Sequence, residues 1–328
     1  MRVLKSEDYK LLERLVSLNQ KDLHKTMQVY LKSKYSNVIT TKDYIVAIGD
    51  IPIALVAHMD TVFSFPVQHL YYDQQKGVLW SPEGLGADDR AGVFAILQII
   101  KFGLRPSIIL TTDEEKGCIG ASKLAEKECP IPGLKYMIEL DRRGTNDCVF
   151  YDCYNPEFIK YVESFGFVER YGSFSDITFL MSYWDICGVN LSVGYEDEHS
   201  QTETLHINAL YATIEKVKKM LQQKEIPDFE YDELASPYDW MRMRDFYYFP
   251  SEDDYGAHCC KCKKVFSEYE IFPVKGSDGK TKFYCPDCIV GTVEWCDYCG
   301  EAYEITDPSR DNLCDDCWEA KNKIVKGN

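Results

Sequence analysis

Hydrophobic positions along the chain change rhythm several times. Over residues 6–33 they recur at helical spacing, with Leu11, Leu12, Leu15 and Val16 and then Leu23, Met27, Val29, Tyr30 and Leu31 forming apolar faces. Near-continuous apolar runs follow at 44–49 (YIVAIG), 52–57 (PIALVA), 107–112 (SIILTT), 135–140 (KYMIEL), 148–152 and 189–194 (VNLSVG), the pattern of strands buried on both faces. Helical patterns separate them at about 90–103, 119–127, 155–165, 175–183 and 205–224. Alternation of this kind predicts an α/β fold, a three-layer sandwich with a largely parallel central sheet between helices. Sites in such folds gather just beyond the strand ends.

Polar islands stand at those ends. The run ALVAHMDTV closes on His58 and Asp60, and GLGADDRAG carries Asp88 and Asp89 just before a helical pattern. TTDEEKG places Asp113, Glu114 and Glu115 after the run SIIL, Glu139 and Asp141 close the run YMI, and Glu198 and His199 follow NLSV and Gly194. Taken singly, each has an ordinary explanation, such as a satisfied core histidine or an N-cap aspartate. Taken together, they put a metal-ligating residue at or just beyond each strand: His58, Asp88, Glu115, Asp141 and His199. Successive acids at one sheet edge repel one another unless a cation holds them. Two imidazoles and three carboxylates suit a pair of borderline divalent ions better than one.

These islands, in this order, resemble the di-zinc exopeptidase superfamily, which includes the carboxypeptidase, aminoacylase and deacylase enzymes and the di-zinc aminopeptidases. HMDTV matches that superfamily's His-x-Asp-x-Val box, GLGADDRAG its Gly-x-x-Asp-Asp-x-x-Gly box, TTDEEKGCIGA its Asp-Glu-Glu-x-Gly box, and DEHSQTE its closing His-Ser/Thr-x-x-Glu box, over roughly residues 52–206. The resemblance implies that Asp88 bridges two zinc ions (Co²⁺ or Mn²⁺ serving in their place), with His58 and Asp141 on one ion and Glu115 and His199 on the other. It implies that Asp60 orients His58, and that Glu114 is the general base drawing a proton from a metal-bridging water and passing it to the leaving amine. A cis Asp88–Asp89 peptide is implied as well. Only 58 positions separate Asp141 from His199, too few for the lid domain of the larger members, so the compact lidless form is expected. Arg142, Arg143 and SFSD (173–176) lie where substrate contacts form, or else are a solvated turn and a helix N-cap.

Composition narrows the rest. The chain has 328 residues, 45% of them apolar, and a formal charge of −16, which disfavours nucleic acid and anionic membranes as partners. The N-terminal stretch has no signal-peptide core and no apolar run is long enough to span a membrane, so a soluble, cytoplasmic protein is expected. Nine of the fourteen cysteines fall after residue 258. Eight of them form four CxxC knuckles, Cys259/Cys262, Cys285/Cys288, Cys296/Cys299 and Cys314/Cys317, enough for two structural four-cysteine zinc sites. Sequential pairing would make tandem zinc ribbons, and first-with-third pairing a cross-braced module; the sequential form is favoured because each pair brackets a hairpin-sized segment. This region holds 10 Lys and Arg against 13 Asp and Glu over 259–328, so protein contact or self-association is a better role for it than nucleic-acid binding.

The expected organisation is a catalytic domain over 1–225, an acidic aromatic linker over 226–257 and a zinc-ribbon-like region over 258–328. The expected function is amide hydrolysis on a peptide or N-acylated amino acid. The alternative is an inactive hydrolase-fold adaptor acting through its ribbons. A damaged ligand set would mark that alternative, and Glu114 and all five ligand positions are intact.

Overall fold

The computed structural model describes residues 4–172, 174–231, 257–266, 272–275, 281–290, 292–296, 302–305, 313 and 318. Two compact units emerge, Met1–Tyr238 and Asp239–Asn328.

The first unit opens with two helices, α1 (Ser6–Val16) and α2 (Gln20–Lys32), within the span of helical spacing over 6–33. Asn19 separates them: its side chain accepts the Asp22 backbone N–H at 2.9 Å and caps α2. Strands β1 (Asn37–Thr40), β2 (Tyr44–Ile48) and β3 (Ile51–His58) follow, then the short β4 (Tyr71–Asp73) and β5 (Val78–Trp80). The chain continues through α3 (Ala87–Phe102), β6 (Pro106–Thr111), α4 (Ile119–Ala125), β7 (Tyr136–Arg142), β8 (Asp147–Val149), α5 (Pro156–Glu163) and β9 (Val168–Glu169). It ends with α6 (Asp176–Trp184), β10 (Gly188–Ser192), β11 (Tyr195–Glu196), β12 (Thr204–His206) and α7 (Ile207–Leu221).

Eight strands form the main sheet in the order β1-β2-β6-β3-β7-β10-β8-β9. Its centre, β6-β3-β7-β10, is parallel, while β1, β2 and β8 join antiparallel. All residues of β6 and β10 and most of β3 and β7 are buried, which requires cover on both faces. Helices α3 and α7, with α1 packed on α3, make one group; α4 and α6 make the other. Fully buried side chains such as Ile53, Leu55 and Phe94 each contribute roughly 1.5–3 kcal/mol to this core. The expected α/β sandwich with a largely parallel sheet is therefore what the chain forms.

A second sheet, β11-β12-β5-β4, was not foreseen. Its strands have two or three residues each and come together from distant parts of the chain, as in the Leu205–Leu79 pair. Beyond α7, Ile226, Phe229 and Tyr231 pack on the core of this unit, and Glu230 bridges to Ile186. The remainder of the acidic aromatic segment, 232–256, lies outside the described residues.

In the second unit β13 (Ala257–His258) pairs with β14 (Val265–Phe266). The hairpin of β15 (Phe272–Lys275) and β16 (Thr281–Tyr284) precedes a one-turn α8 (Pro286–Ile289), and β17 (Val293–Trp295) and β18 (Ala302–Glu304) complete a sheet ordered β16-β15-β18-β17. Cys259, Val274, Tyr284 and Cys285 form its small core. Among the described residues of the chain, no helix is long and apolar enough to cross a membrane.

Candidate metal centre

The parallel strands deliver the polar islands to one edge of the main sheet. His58 is the last residue of β3, level with Thr111 at the end of β6. Glu114 and Glu115 lie in the turn from β6 to α4, and Asp141 sits near the end of β7. Asp88 does not follow a main-sheet strand. It enters through the loop after β5 and stands in the first turn of α3 with non-helical torsions (φ −79°, ψ 105°), joined to Asp89 by a cis peptide. His199 lies between β11 and β12 at φ +62°.

Asp88 is the meeting point. Its Oδ1 lies 2.9 Å from His58 Nε2 and its Oδ2 lies 3.2 Å from His199 Nε2. Asp141 Oδ1 is 3.5 Å from His58 Nε2, and Glu115 Oε2 is 2.9 Å from His199 Nε2. Two donor sets result, His58–Asp88–Asp141 and Asp88–Glu115–His199, each with its ligand atoms within 4.8 Å of one another. A third grouping of that size joins His58, Glu114 and Glu115, with Glu114 Oε2 farther out at 4.0 Å from His58 Nε2. His58 is buried, whereas the His199 side chain is 42% exposed, so the centre opens to solvent on the His199 side.

Asp60 organises the inner wall. Its carboxylate lies 3.2 Å from His58 Nδ1 and accepts the backbone N–H groups of Glu114 and Glu115, both at 3.0 Å. One side chain thus stands beside the imidazole and holds the start of the acidic turn. Burial opposes its ionised form, but the His58 contact and the two backbone bonds outweigh it and hold its pKa below the usual carboxylate value.

Elsewhere acid is in excess. Burial, then the neighbouring Asp88, pushes Asp141 up to about 7. Burial also holds Glu114 and Glu139 well above the usual range and lifts Asp176 to about 6 and Glu203 to about 7. Hydrogen bonds to Asp88 and Glu115 push His199 up to about 11. For His58, burial opposes the charge, but Asp141 and the other carboxylates win and raise it. These are the directions expected where carboxylates crowd without enough positive charge. Glu115 Oε1 is buried and has no hydrogen-bond partner. Divalent cations fit this donor set: mixed imidazole and carboxylate ligands, a surplus of negative charge and an orphaned carboxylate oxygen.

Several supporting residues had no role assigned from the sequence. Glu203, the last residue of DEHSQTE, accepts the backbone N–H of Gly86 at 2.7 Å and of Asp88 at 3.0 Å, clamping the loop that presents Asp88. Asp89 turns away from the ligand atoms and accepts from His58 N (3.3 Å) and Gly92 N (2.8 Å). A Cβ on Gly92 would lie 2.2 Å from Leu140 O and 2.5 Å from the Asp89 carboxylate, so the GLGADDRAG island needs glycine there. Ser175 Oγ and Tyr195 OH donate to the two oxygens of Asp141 at 3.1 Å each. Ser175 is also the N-cap of α6, in a capping box with Thr178, so the SFSD island caps a helix and contacts the centre at once; Ser173 lies outside the described residues. Arg142 and Arg143 line the cleft above the centre.

In the second unit the structure brings Cys259, Cys262, Cys285 and Cys288 together, their sulfurs within 4.8 Å of one another, so the first knuckle faces the second. Burial works against the Cys259 thiolate, but backbone N–H groups of Cys262, Cys285 and Lys261 prevail and bring its pKa down to about 6. Burial and the neighbouring sulfurs push Cys288 up to about 12. Four clustered sulfurs, one readily ionised, fit a tetrahedral metal site. Cys260 takes no part: its sulfur accepts the Phe283 backbone N–H at 3.4 Å. Cys296 packs with Tyr303 and Leu313, while Cys299, Cys314 and Cys317 lie outside the described residues.

Comparison with known proteins agrees with this geometry. Residues 39–163 match peptidase family M28, a span holding His58, Asp88, Glu114, Glu115 and Asp141 but ending before His199. No curated protein matches the chain. Among solved structures, a tripeptidase from Staphylococcus aureus is similar at TM-score 0.53 and 16% identity, covering 67% of this chain and 99% of that one. The aminopeptidase PepT from Bacillus cereus is similar at TM-score 0.50 and 15% identity, covering 67% and 98%. An aminopeptidase from the archaeon Desulfurococcus kamchatkensis has TM-score 0.50 and 14% identity, covering 67% and 96%. At such identities the structural likeness speaks for the fold, and the family match for the chemistry. The match over residues 39–163 is to a peptidase family M28 domain, consistent with the di-zinc exopeptidase superfamily, and the chain is a metallopeptidase.

Proposed function

We propose that this chain hydrolyses an amide bond next to the end of a peptide or in an N-acylated amino acid. His58 and Asp141 would hold one zinc ion, Glu115 and His199 a second, and Asp88 both. The observation carrying this reading is the position of Asp88, whose two carboxylate oxygens each face a different imidazole at 2.9 and 3.2 Å. The ions would supply Lewis acidity, lowering the pKa of the attacking water and stabilising charge on the scissile carbonyl oxygen.

The chain's own residues do the rest. Asp60 fixes His58 Nδ1 as the protonated nitrogen and leaves Nε2 facing Asp88. Glu114, anchored through its backbone N–H on Asp60, stands at the rim of the donor set and takes a proton from the attacking water. It then returns that proton to the leaving amine. Burial raises its pKa, His58 opposes that, and the carboxylates of Asp141, Asp176 and Asp88 push it further up, so it holds a proton readily. Tyr195 and Ser175 hold Asp141 by both oxygens.

The test is Glu114→Gln. The amide keeps the shape and loses the proton acceptor, so activity on a cleaved peptide should fall by about 10²–10⁴-fold with metal content unchanged. Normal hydrolysis by that variant would remove Glu114 from the base role.

Cys259, Cys262, Cys285 and Cys288 form, in the same proposal, a structural zinc site that stabilises the second unit.

A further inference from the structure

The turn between β6 and α4, which carries Glu114 and Glu115, has an unusual backbone. It enters the left-handed region at Asp113 (φ +56°), Gly117 (φ +91°) and Cys118 (φ +55°). Glycine adopts that conformation freely, whereas a residue with a Cβ does so at a cost. Asp113 has contacts that offset the cost. Its backbone N–H donates to Gln20 Oε1 and its Oδ1 accepts from Gln20 Nε2, each at 3.3 Å, and Lys116 Nζ donates to the same Oδ1 at 2.9 Å. Cys118 has no contacts of that kind. It is fully buried, forms no disulfide and stands at the N-cap of α4, where its side chain caps nothing.

What the thiol touches is Glu114. The Cys118 backbone N–H donates to the Glu114 carbonyl oxygen at 2.8 Å, which closes the turn and brings the two side chains together. Cys118 Sγ then lies 3.5 Å from Glu114 Oε1. The other oxygen, Oε2, faces the metal centre, 4.0 Å from His58 Nε2. An ionised carboxylate has only acceptors, so the thiol is the donor of the pair. Asp176, the other carboxyl near the sulfur, already takes the Thr111 hydroxyl on Oδ2. We infer that Cys118 is a positioning residue for the base: its S–H holds Glu114 Oε1 and so keeps Oε2 turned towards the attacking water.

A thiol suits that task. Hydrogen bonds to a carboxylate favour its charged form and make it a poorer base, more so for a stronger donor. S–H is a weak donor. It selects one orientation of the carboxylate and leaves the free oxygen basic. Burial completes the arrangement, because no water competes for the bond around a fully enclosed Cys118. The inference rests on the proposed role of Glu114 and adds the group that aims it.

The experiment uses the zinc-loaded full chain and two readouts. Infrared difference spectra, wild type minus Cys118→Ala, isolate the S–H stretch of Cys118; should the alanine variant not fold, Cys118→Ser removes the same band. Kinetics follow hydrolysis of Leu-Gly-Gly and N-acetyl-leucine. The expected band lies below that of an unbonded thiol and moves up in Glu114→Gln, where an amide replaces the carboxylate. Cys118→Ala should lower kcat about tenfold with KM and zinc content unchanged. Cys118→Ser restores a donor and should recover most of that loss, and in a Glu114→Gln background Cys118→Ala should have no further effect. Wild-type kcat in Cys118→Ala, or an equal loss in the alanine and serine variants, would overturn the positioning role. A band that ignores Glu114→Gln and moves in Asp176→Asn would give the thiol to Asp176 and overturn it too. Failure of the base reading looks different: Glu114→Gln hydrolyses normally, or the wild type cleaves neither probe, while the band still shifts in Glu114→Gln.

Discussion

The backbone N–H of Glu114 donates to Asp60 Oδ1 at 3.0 Å, tying the acidic turn after β6 to the residue two positions beyond the end of β3. Asp60 also lies 3.2 Å from His58 Nδ1 and accepts from Glu115, so a single carboxylate touches a residue of each donor set and the proposed base between them.

Asp60→Asn should therefore weaken more than one function. An amide cannot accept from two backbone donors and His58 together. Metal affinity at the centre should fall about 10–100-fold. Competition with a zinc chelator measures this, and unchanged affinity would mean that the Asp60 contacts do not tune the ligands.

Removing the metals should reverse the pH dependence of stability. Asp141 at about 7, Asp176 at about 6 and Glu203 at about 7 are raised by burial above their unfolded values, and His199 is raised to about 11 by its acid partners. Groups with raised folded pKa values bind more protons folded than unfolded, so stability falls as pH rises from about 4 to about 8. The metal-free chain should melt at a higher temperature near pH 5.5 than near pH 8, and added zinc should raise Tm more at the higher pH, where ions no longer compete with protons. Thermal denaturation with and without zinc decides this, and a metal-free chain most stable near pH 8 would be the contrary outcome.

Much of the candidate centre is legible in the sequence because residue types able to ligate a metal stand out at or just beyond apolar runs. His58, Glu115 and Asp141 are examples. The supporting contacts are not legible in this way. Glu203 acts on backbone N–H groups 115 and 117 positions away, and no local pattern encodes which backbone a carboxylate will meet. The strands of the second sheet leave no mark in the sequence because two or three residues show no measurable period and pair only through tertiary contacts such as Leu205 with Leu79. The break between α1 and α2 was signalled by Asn19, a helix-capping residue inside an otherwise continuous apolar rhythm.

Far from the centre, Asp8 joins three helices. Its carboxylate accepts from Tyr211 OH at 2.6 Å and Gln98 Nε2 at 2.9 Å, and it lies 3.5 Å from Lys101 Nζ. Burial opposes its charge, but the Tyr211 and Gln98 bonds and the Lys101 charge outweigh it and hold its pKa below the usual carboxylate value. A depressed carboxylate contributes stability above its unfolded pKa and loses it as pH falls through the folded value. Asp8→Ala should cost about 2 kcal/mol at neutral pH, because Tyr211 and Gln98 are left without that acceptor. The deficit should shrink below about pH 4. Urea denaturation across pH checks both points, and a deficit independent of pH would show that the charge on Asp8 contributes nothing.

The most direct test of the account is metal content by plasma mass spectrometry on the full chain beside a His58→Ala/His199→Ala variant, both reconstituted with zinc. Each substitution removes an imidazole from a different donor set. The account predicts that the variant holds about two fewer zinc equivalents per chain while the cysteine-bound zinc stays in place. Equal zinc in the two proteins would contradict the di-metal centre and with it the mechanism built on Glu114.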